Sequence, residues 1–467
     1  MKIKLNFIFM SVIIVITLFS CTNQKDTEMK FTCAKAEVKI INLDPGHFHA
    51  ALVQKTMYEQ ISPVVYVYAP DGPEVEDYLS RINDYNTRSE NPTAWDLRVY
   101  KGNDYLEKML AEKPGNVLVT AGNNRKKMDY VKTAIAAGIN VLADKPLCIN
   151  KDDLEKLLKV MATADSNHTL LYDIMTERFE ITTILQRELM QIPAIFGTLQ
   201  TGTPEEPAVT KESVHHFFKY VSGNPLKRPA WFMDVTQQGE GIVDVTTHLV
   251  DLIQWECFPE QIINYKTDIE LVGAKRWPTI MTPAQFSTAT QLPSYPDYLQ
   301  KYVDNGGNLQ IYANGEINYK IKNIHARVSV LWNFQAPEGA GDTHYSIMRG
   351  SQANVTIRQG KEQNYVPELY IEASPAGNIN NLAVALETEF PGLQAKYPGI
   401  GLEKSGSSWH VVIPKTYRTG HEAHFGQVTE KFLQYLMDGK MPDWEAPNML
   451  AKYYTTTTAL EIALQNK

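Results

Sequence analysis

From residue 38 onward, short apolar runs alternate with amphipathic stretches. VKIINL (38–43), VVYVYA (64–69), NVLVTAG (116–122) and INVLADKP (139–146) are β-branched and short enough to be strands. AALVQKTMYEQ (50–60), EVEDYLSRI (74–82), RKKMDYVKTAIAAG (125–138) and KDDLEKLLKVMATA (151–164) read as helices, the third stopped by Gly138. This alternation predicts an α/β domain with a doubly wound parallel sheet over residues 36–165. Such sheets bind ligands beyond the C-terminal ends of their strands.

The remainder, residues 166–467, has a different pattern. TLLYDIM (169–175) reads as a strand, followed by a helix at about 179–191. Residues 309–358 alternate apolar and polar positions, as half-buried antiparallel strands do. Asn314-Gly315 in LQIYANGEINYKI is a hairpin signal. Residues 278–308 hold prolines and glycines without a period and are expected to form a loop over a site. Helices at about 424–437 and 446–465 close the chain. The second domain is therefore expected to be α+β, built on an open, mainly antiparallel sheet.

Composition changes this picture little. Hydrophobic residues make up 43% and charged residues 21%, as in ordinary globular domains. The net charge of -8 argues against nucleic-acid binding. The first residues do add something. Lys2 and Lys4 precede an apolar run, Leu5–Phe19, that ends at Ser20-Cys21. That order reads as a secretory signal with a lipobox-like end, making Cys21 the lipidated first residue. A plain cleaved signal or an uncleaved anchor remain alternatives. Residues 22–35 read as a tether, and the implied location is periplasmic or attached to the outer membrane. Cys33, Cys148 and Cys257 are too few and too widely spaced for a disulfide framework.

Two segments carry the chemistry. Asp144-Lys145-Pro146 ends a predicted buried strand, where a lysine can bond a substrate hydroxyl and lower a neighbouring acid's pKa. Pro146 would fix the turn. In GEGIVDVTTHLVD (239–251), Asp244 and His248 are four apart and share a face if helical, with Asp251 close to it. A carboxylate there raises a histidine's pKa and orients its ring. By itself, D-x-x-x-H more often describes a helix with a satisfied core histidine.

Together the segments resemble the Gfo/Idh/MocA (glucose–fructose oxidoreductase / inositol dehydrogenase) superfamily over roughly residues 36–437. They look closest to its exported, Bacteroidetes-type lipoprotein branch. The resemblance implies a Rossmann-like first domain, NAD or NADP as cofactor, and a sugar, glycoside or polyol substrate. It assigns Lys145, Asp244 and His248 to catalysis. Asp144 stands where the family usually has Glu. Open sheets in that family commonly pair face to face, which makes a homo-oligomer through this sheet an expectation, and no residue is assigned to a metal.

The expected cofactor contacts are Gly46, His47, His49, Asp71, Asn123, Asp144 and Pro146. INLDPGHFHA (41–50) occupies the nucleotide-loop position, with Asp44 at the first glycine of G-x-G-x-x-G, Gly46 at the second and His49 at the third. Asp71 is the candidate ribose acid and favours NAD. His215, His216 and Lys219 read either as substrate contacts or as surface. His421 and His424 read either as site or as packing, Trp332–Phe334 as core, and Arg178 as a domain-interface salt bridge. Two other classes stay open. One is a metal-dependent hydrolase or lyase with His47 and His49 as ligands, completed by His215 or His421. The other is a non-catalytic sugar-binding lipoprotein. Transient oxidation that enables elimination of a glycoside is a further variant.

Overall fold

The computed structural model describes residues 31–466, apart from 33, 222, 223 and 338. The expected signal through Cys21, the tether up to residue 30, and Cys33 lie outside the described residues. No described helix is long and apolar enough to cross a membrane.

Six parallel strands form the first sheet: β1 (Ile40–Leu43), β2 (Val64–Ala69), β3 (Asp96–Lys101), β4 (Val117–Thr120), β5 (Asn140–Asp144) and β6 (Leu171–Ile174). Their order is β3-β2-β1-β4-β5-β6, with the switch between β1 and β4. β1, β4, β5 and β6 are buried at every position, as expected of strands covered on both faces. β3 was not legible in the sequence because it is an edge strand with mostly exposed side chains. The domain limit expected at 165 falls inside the helix Lys151–Asn167, and β6 follows it, pairing in parallel with β5. The predicted first helix shrinks to His49–Leu52. Just beyond it, Trp95 Nε1 donates to the Gln54 carbonyl and Tyr78 donates to the Gln54 side chain, drawing the chain out of helical geometry.

The second sheet has nine strands: β7 (Val209–Phe218), β10 (Ile269–Met281), β11 (Leu309–Ile321), β12 (Ile324–Gln335), β13 (Thr343–Arg349), β14 (Ala353–Arg358), β15 (Glu368–Ala373), β16 (Gly401–Ser405) and β17 (Ser408–Val412). A small ribbon, β8 (Tyr220–Val221) and β9 (Asn224–Pro225), intervenes. The order is β10-β11-β12-β7-β13-β14-β15-β17-β16, and only the β7–β12 pairing is parallel.

Two expectations are corrected here. Asn314-Gly315 is not a turn: β11 runs straight through it. The Asn314 side chain donates to the Trp277 carbonyl and Thr279 Oγ1, and accepts from the Trp332 amide. The turn falls at Lys322-Asn323, where φ is 45° and 69°, as a two-residue hairpin requires. Residues 278–308 are not a lid. They hold the end of β10, the helix Pro283–Thr290 and a 3-10 turn, Asp297–Tyr302. Phe286 and Leu299 bury into an apolar cluster with Phe217, Phe232 and Trp332.

The last two helices, His421–Asp438 and Glu445–Gln465, return to the first domain. Phe425, Phe432 and Leu436 join its core. Glu445 and Lys452 enter a buried ionic network between the domains. Arg178, just beyond β6, donates to Asp251 at 2.7 Å and to Glu445 at 2.8 Å. Lys452 reaches Asp173 at 2.8 Å and Asp251 at 3.0 Å. The interface salt bridge expected of Arg178 is therefore present.

The Gly239/Gly241 spacing has a packing reason. A Cβ on Gly241 would lie 1.7 Å from the Ala313 carbonyl oxygen of β11, and Gly239 adopts φ 94°. This close approach fixes the turn that carries Asp244. Gly241→Ala is expected to lower stability by about 1–3 kcal/mol, read as a lower urea midpoint, because the backbone of β11 must shift.

Candidate active site

A cavity of about 800 Å³ opens at the C-terminal ends of β1, β4 and β5, between the two domains. Lys145, Asp244 and His248 all line it. Lys145 Nζ donates to Asp244 Oδ1 at 2.7 Å, and Gln238 donates to Asp244 Oδ2 at 3.0 Å. Burial works against the Asp244 carboxylate, but the Lys145 charge and the hydrogen bonds from Lys145 and Gln238 together hold its pKa below the usual carboxylate range. The Asp144-Lys145-Pro146 turn includes a cis Lys145-Pro146 bond. It is clamped from beneath by buried Lys127, which donates to the Asp144 carbonyl at 2.7 Å, the Pro146 carbonyl at 3.2 Å and Asn124 Oδ1 at 2.6 Å. Burial lowers the Lys127 pKa to about 8.

The expected Asp244–His248 partnership is not formed. Asp244 sits in the turn before the helix Thr246–Cys257 and faces Lys145, while His248 is in the first helical turn. Burial, and then the Lys145 charge, push the His248 pKa down to about 3, and its Nδ1 is buried without a hydrogen bond. The ring is therefore neutral, not raised towards imidazolium. Asp251 points away from the cavity into the ionic network with Arg178 and Lys452.

β7 supplies the opposite wall. Ser213 and His215 Nε2 are 2.7 Å apart, and His215 Nδ1 lies 3.1 Å from Asp342 Oδ2. His215 stacks on Trp332 at 5.1 Å. His216 and Lys219 also bind Asp342, whose carboxylate their charges and hydrogen bonds, with those of His215, hold well below the usual range against burial. Arg228 packs 4.3 Å over Phe232. His215 and Lys219 line the cavity; His216 is buried behind it. Trp332, expected to be plain core, lines the cavity as well. His421 and His424 line the far end, His421 at 3.3 Å from Glu177. Sequence reading missed Glu177, Arg228 and Asp342. Glu177 adjoins Arg178 but carries no spacing signal of its own, and Arg228 and Asp342 stand apart from every motif.

The expected cofactor residues divide into two groups. His47, His49 and Asp144 line the cavity; Gly46, Asp71, Asn123 and Pro146 do not. Asn123 caps the helix Asn124–Ala136 and donates to Gln237, whereas its neighbour Asn124 faces the cavity. Asp71 is an 80%-exposed side chain, 3.9 Å from Lys101.

The β1 turn is closed on β4. The Gly46 and His47 amides both donate to the Ala121 carbonyl at 3.1 Å. A Cβ on Gly122 would lie 2.4 Å from the Asp44 carbonyl oxygen. Asp44 adopts φ 49° and accepts from Tyr130. These amides are therefore engaged within the protein and do not form a pyrophosphate cradle. The nicotinamide end fits better. A cavity of this size at the switch point accommodates a nicotinamide riboside with a small substrate beside it, and Gly122, Asn124 and Lys145 would hold that half.

Residues 185–464 match the family model described as "Putative oxidoreductase C terminal domain", and residues 46–172 match "Oxidoreductase family, NAD-binding Rossmann fold". No curated protein matches the chain significantly. Among solved structures, one described as a putative oxidoreductase from Parabacteroides merdae is 58% identical. It covers 94% of this chain and 100% of its own, with a TM-score of 0.92. GenD2 from gentamicin A biosynthesis, solved with NAD, is 16% identical over 92% of this chain and 95% of its own, TM-score 0.56. KijD10, a 3-ketoreductase from Actinomadura kijaniata solved with NADP and TDP-benzene, is 10% identical over 91% and 97%, TM-score 0.55. The last two share the fold alone. Matched across both domains, the chain belongs to the Gfo/Idh/MocA oxidoreductase family and carries that family's NAD-binding Rossmann domain.

Proposed function

We propose that the protein interconverts a secondary hydroxyl and a ketone on a sugar, glycoside or polyol, with a nicotinamide dinucleotide as partner. The observation that carries this reading is the partly buried Lys145–Asp244 pair, 2.7 Å apart at the end of β5, in one cavity with Gly122 and Asn124. The bound nicotinamide would supply the hydride acceptor or donor. Lys145 presents an N–H to the substrate oxygen, and Asp244 fixes the ammonium in place. His248 is neutral and lines the same cavity, so it can accept a hydrogen bond from the hydroxyl and take its proton transiently, releasing it to solvent because burial and the Lys145 charge hold its pKa at about 3. Trp332, His215 and the Asp342 carboxylate provide an apolar face and hydrogen-bonding groups, the combination that sugar rings need. The NAD and NADP held by GenD2 and KijD10 support the choice of cofactor. The Ser20-Cys21 segment supports an exported, lipid-anchored setting.

The test is to denature purified protein, identify released nucleotides by mass spectrometry, and then follow nicotinamide reduction with a panel of methyl glycosides and inositols. Bound or bindable NAD(P) together with turnover on a secondary alcohol is the expected result. Neither binding nor turnover across the panel would remove this reading.

A further inference from the structure

The β1 turn has spent its Gly46 and His47 amides on Ala121, yet it projects two imidazoles towards a carboxylate 95 residues away in the chain. His49 Nδ1 lies 3.0 Å from Asp144 Oδ2, and His47 Nδ1 lies 3.6 Å from the same oxygen. The three side chains can place one donor atom each within 4.8 Å of one another. Among the described residues, this is the one group of His, Cys, Asp and Glu side chains with such convergence. We propose that His47, His49 and Asp144 bind a divalent transition-metal ion of the zinc or manganese class, with its remaining positions open to the cavity that all three line.

Three observations support this. Two donors, each about 2.1 Å from one tetrahedral ion, stand about 3.4 Å apart, and the separations from Asp144 Oδ2 bracket that value. A hydrogen bond accounts for His49 and Asp144 alone. It leaves His47 Nδ1 buried and without a partner, an arrangement that ordinarily costs stability. A shared ion satisfies both rings at once. The donors are also held in place. Lys127 anchors the Asp144 backbone, the His47 amide is tied to Ala121, and Phe425 packs 4.7 Å from the His49 ring. Two imidazoles and one carboxylate suit zinc, manganese or iron(II), whose free positions take oxygen donors. Asp144 completes the set; His215 is bound to Asp342, and His421 pairs with Glu177.

The experiment reads metal content rather than activity. The full chain is stripped with a chelator, dialysed against Zn2+ or Mn2+, and assayed by elemental mass spectrometry. The wild type is expected to retain about one equivalent, and Lys145→Met to retain the same amount. His47→Ala and His49→Ala are expected to lose it while keeping the wild-type circular dichroism. A wild type that retains no ion, or histidine variants that retain it in full, would overturn the site. Nucleotide without metal would refute this proposal and leave the oxidoreductase reading standing. Metal without nucleotide would do the reverse.

Discussion

Lys145→Met is expected to lower kcat by about 10³-fold with little loss of stability. One directed donor at a developing oxyanion contributes about 10²–10³ in rate, and here the same ammonium also holds Asp244. Methionine fills much of the lysine volume, so packing at the end of β5 is kept. The Lys145 side chain is 13% exposed and borders the cavity, so the Asp244 carboxylate left behind can be reached by water. The measurement is steady-state turnover beside a urea titration. If turnover falls less than about tenfold, well short of what one such donor supplies, Lys145 is not at the reacting oxygen. Asp244→Asn should cost less, because the amide oxygen can still accept from Lys145. It should change kcat more than KM if Asp244 acts only by orienting the lysine.

The second large effect concerns stability. Arg178→Met is expected to destabilise the protein by about 3–5 kcal/mol. Arg178 is 7% exposed and holds Asp251 with two donors and Glu445 with a third. Removing it strands Glu445 in the interior, since its carboxylate is then left with the Tyr435 hydroxyl, at 3.4 Å. Asp251 keeps Lys452. The loss is therefore expected to separate the last helix from the parallel domain before either core unfolds. Urea titration followed by Trp444 fluorescence should report this, because Arg178 lies 5.6 Å over the Trp444 ring. An unchanged midpoint would show that the network contributes nothing net. A triple replacement of Arg178, Asp251 and Glu445 by apolar residues should be far milder than Arg178→Met alone, since no charge is then left unpaired.

The two segments that mark the site were readable because each is compact in sequence. A strand end followed by Lys-Pro, and a Gly-x-Gly turn before an aspartate and a histidine, carry their geometry locally. The structure brings both to one cavity. What failed were inferences about partners. Asp244, Asp251 and His248 fall within eight residues, and helical spacing pairs Asp244 with His248. The turn forced by Gly241 against β11 starts the helix two residues after Asp244 and sends its carboxylate to Lys145, 99 residues away. Asn314-Gly315 failed for a similar reason. The dipeptide suits a turn, but Asn314 is worth more in β11, where its side chain bonds both flanking strands.

The sequence by itself determined the two-domain plan, because period-2 and period-3.6 patterns are properties of neighbouring residues, and burial follows them. It also determined which strand end carries a lysine. Only the tertiary structure decided what the β1 turn is for. Read along the chain, Asp44, Gly46, His47 and His49 are a damaged phosphate loop. Folded, the amides close on Ala121 and the imidazoles meet Asp144. That outcome rests on contacts among β1, β4 and β5, three successive strands of the sheet whose outer two lie about a hundred residues apart in the chain, and no local pattern encodes contacts over such separations.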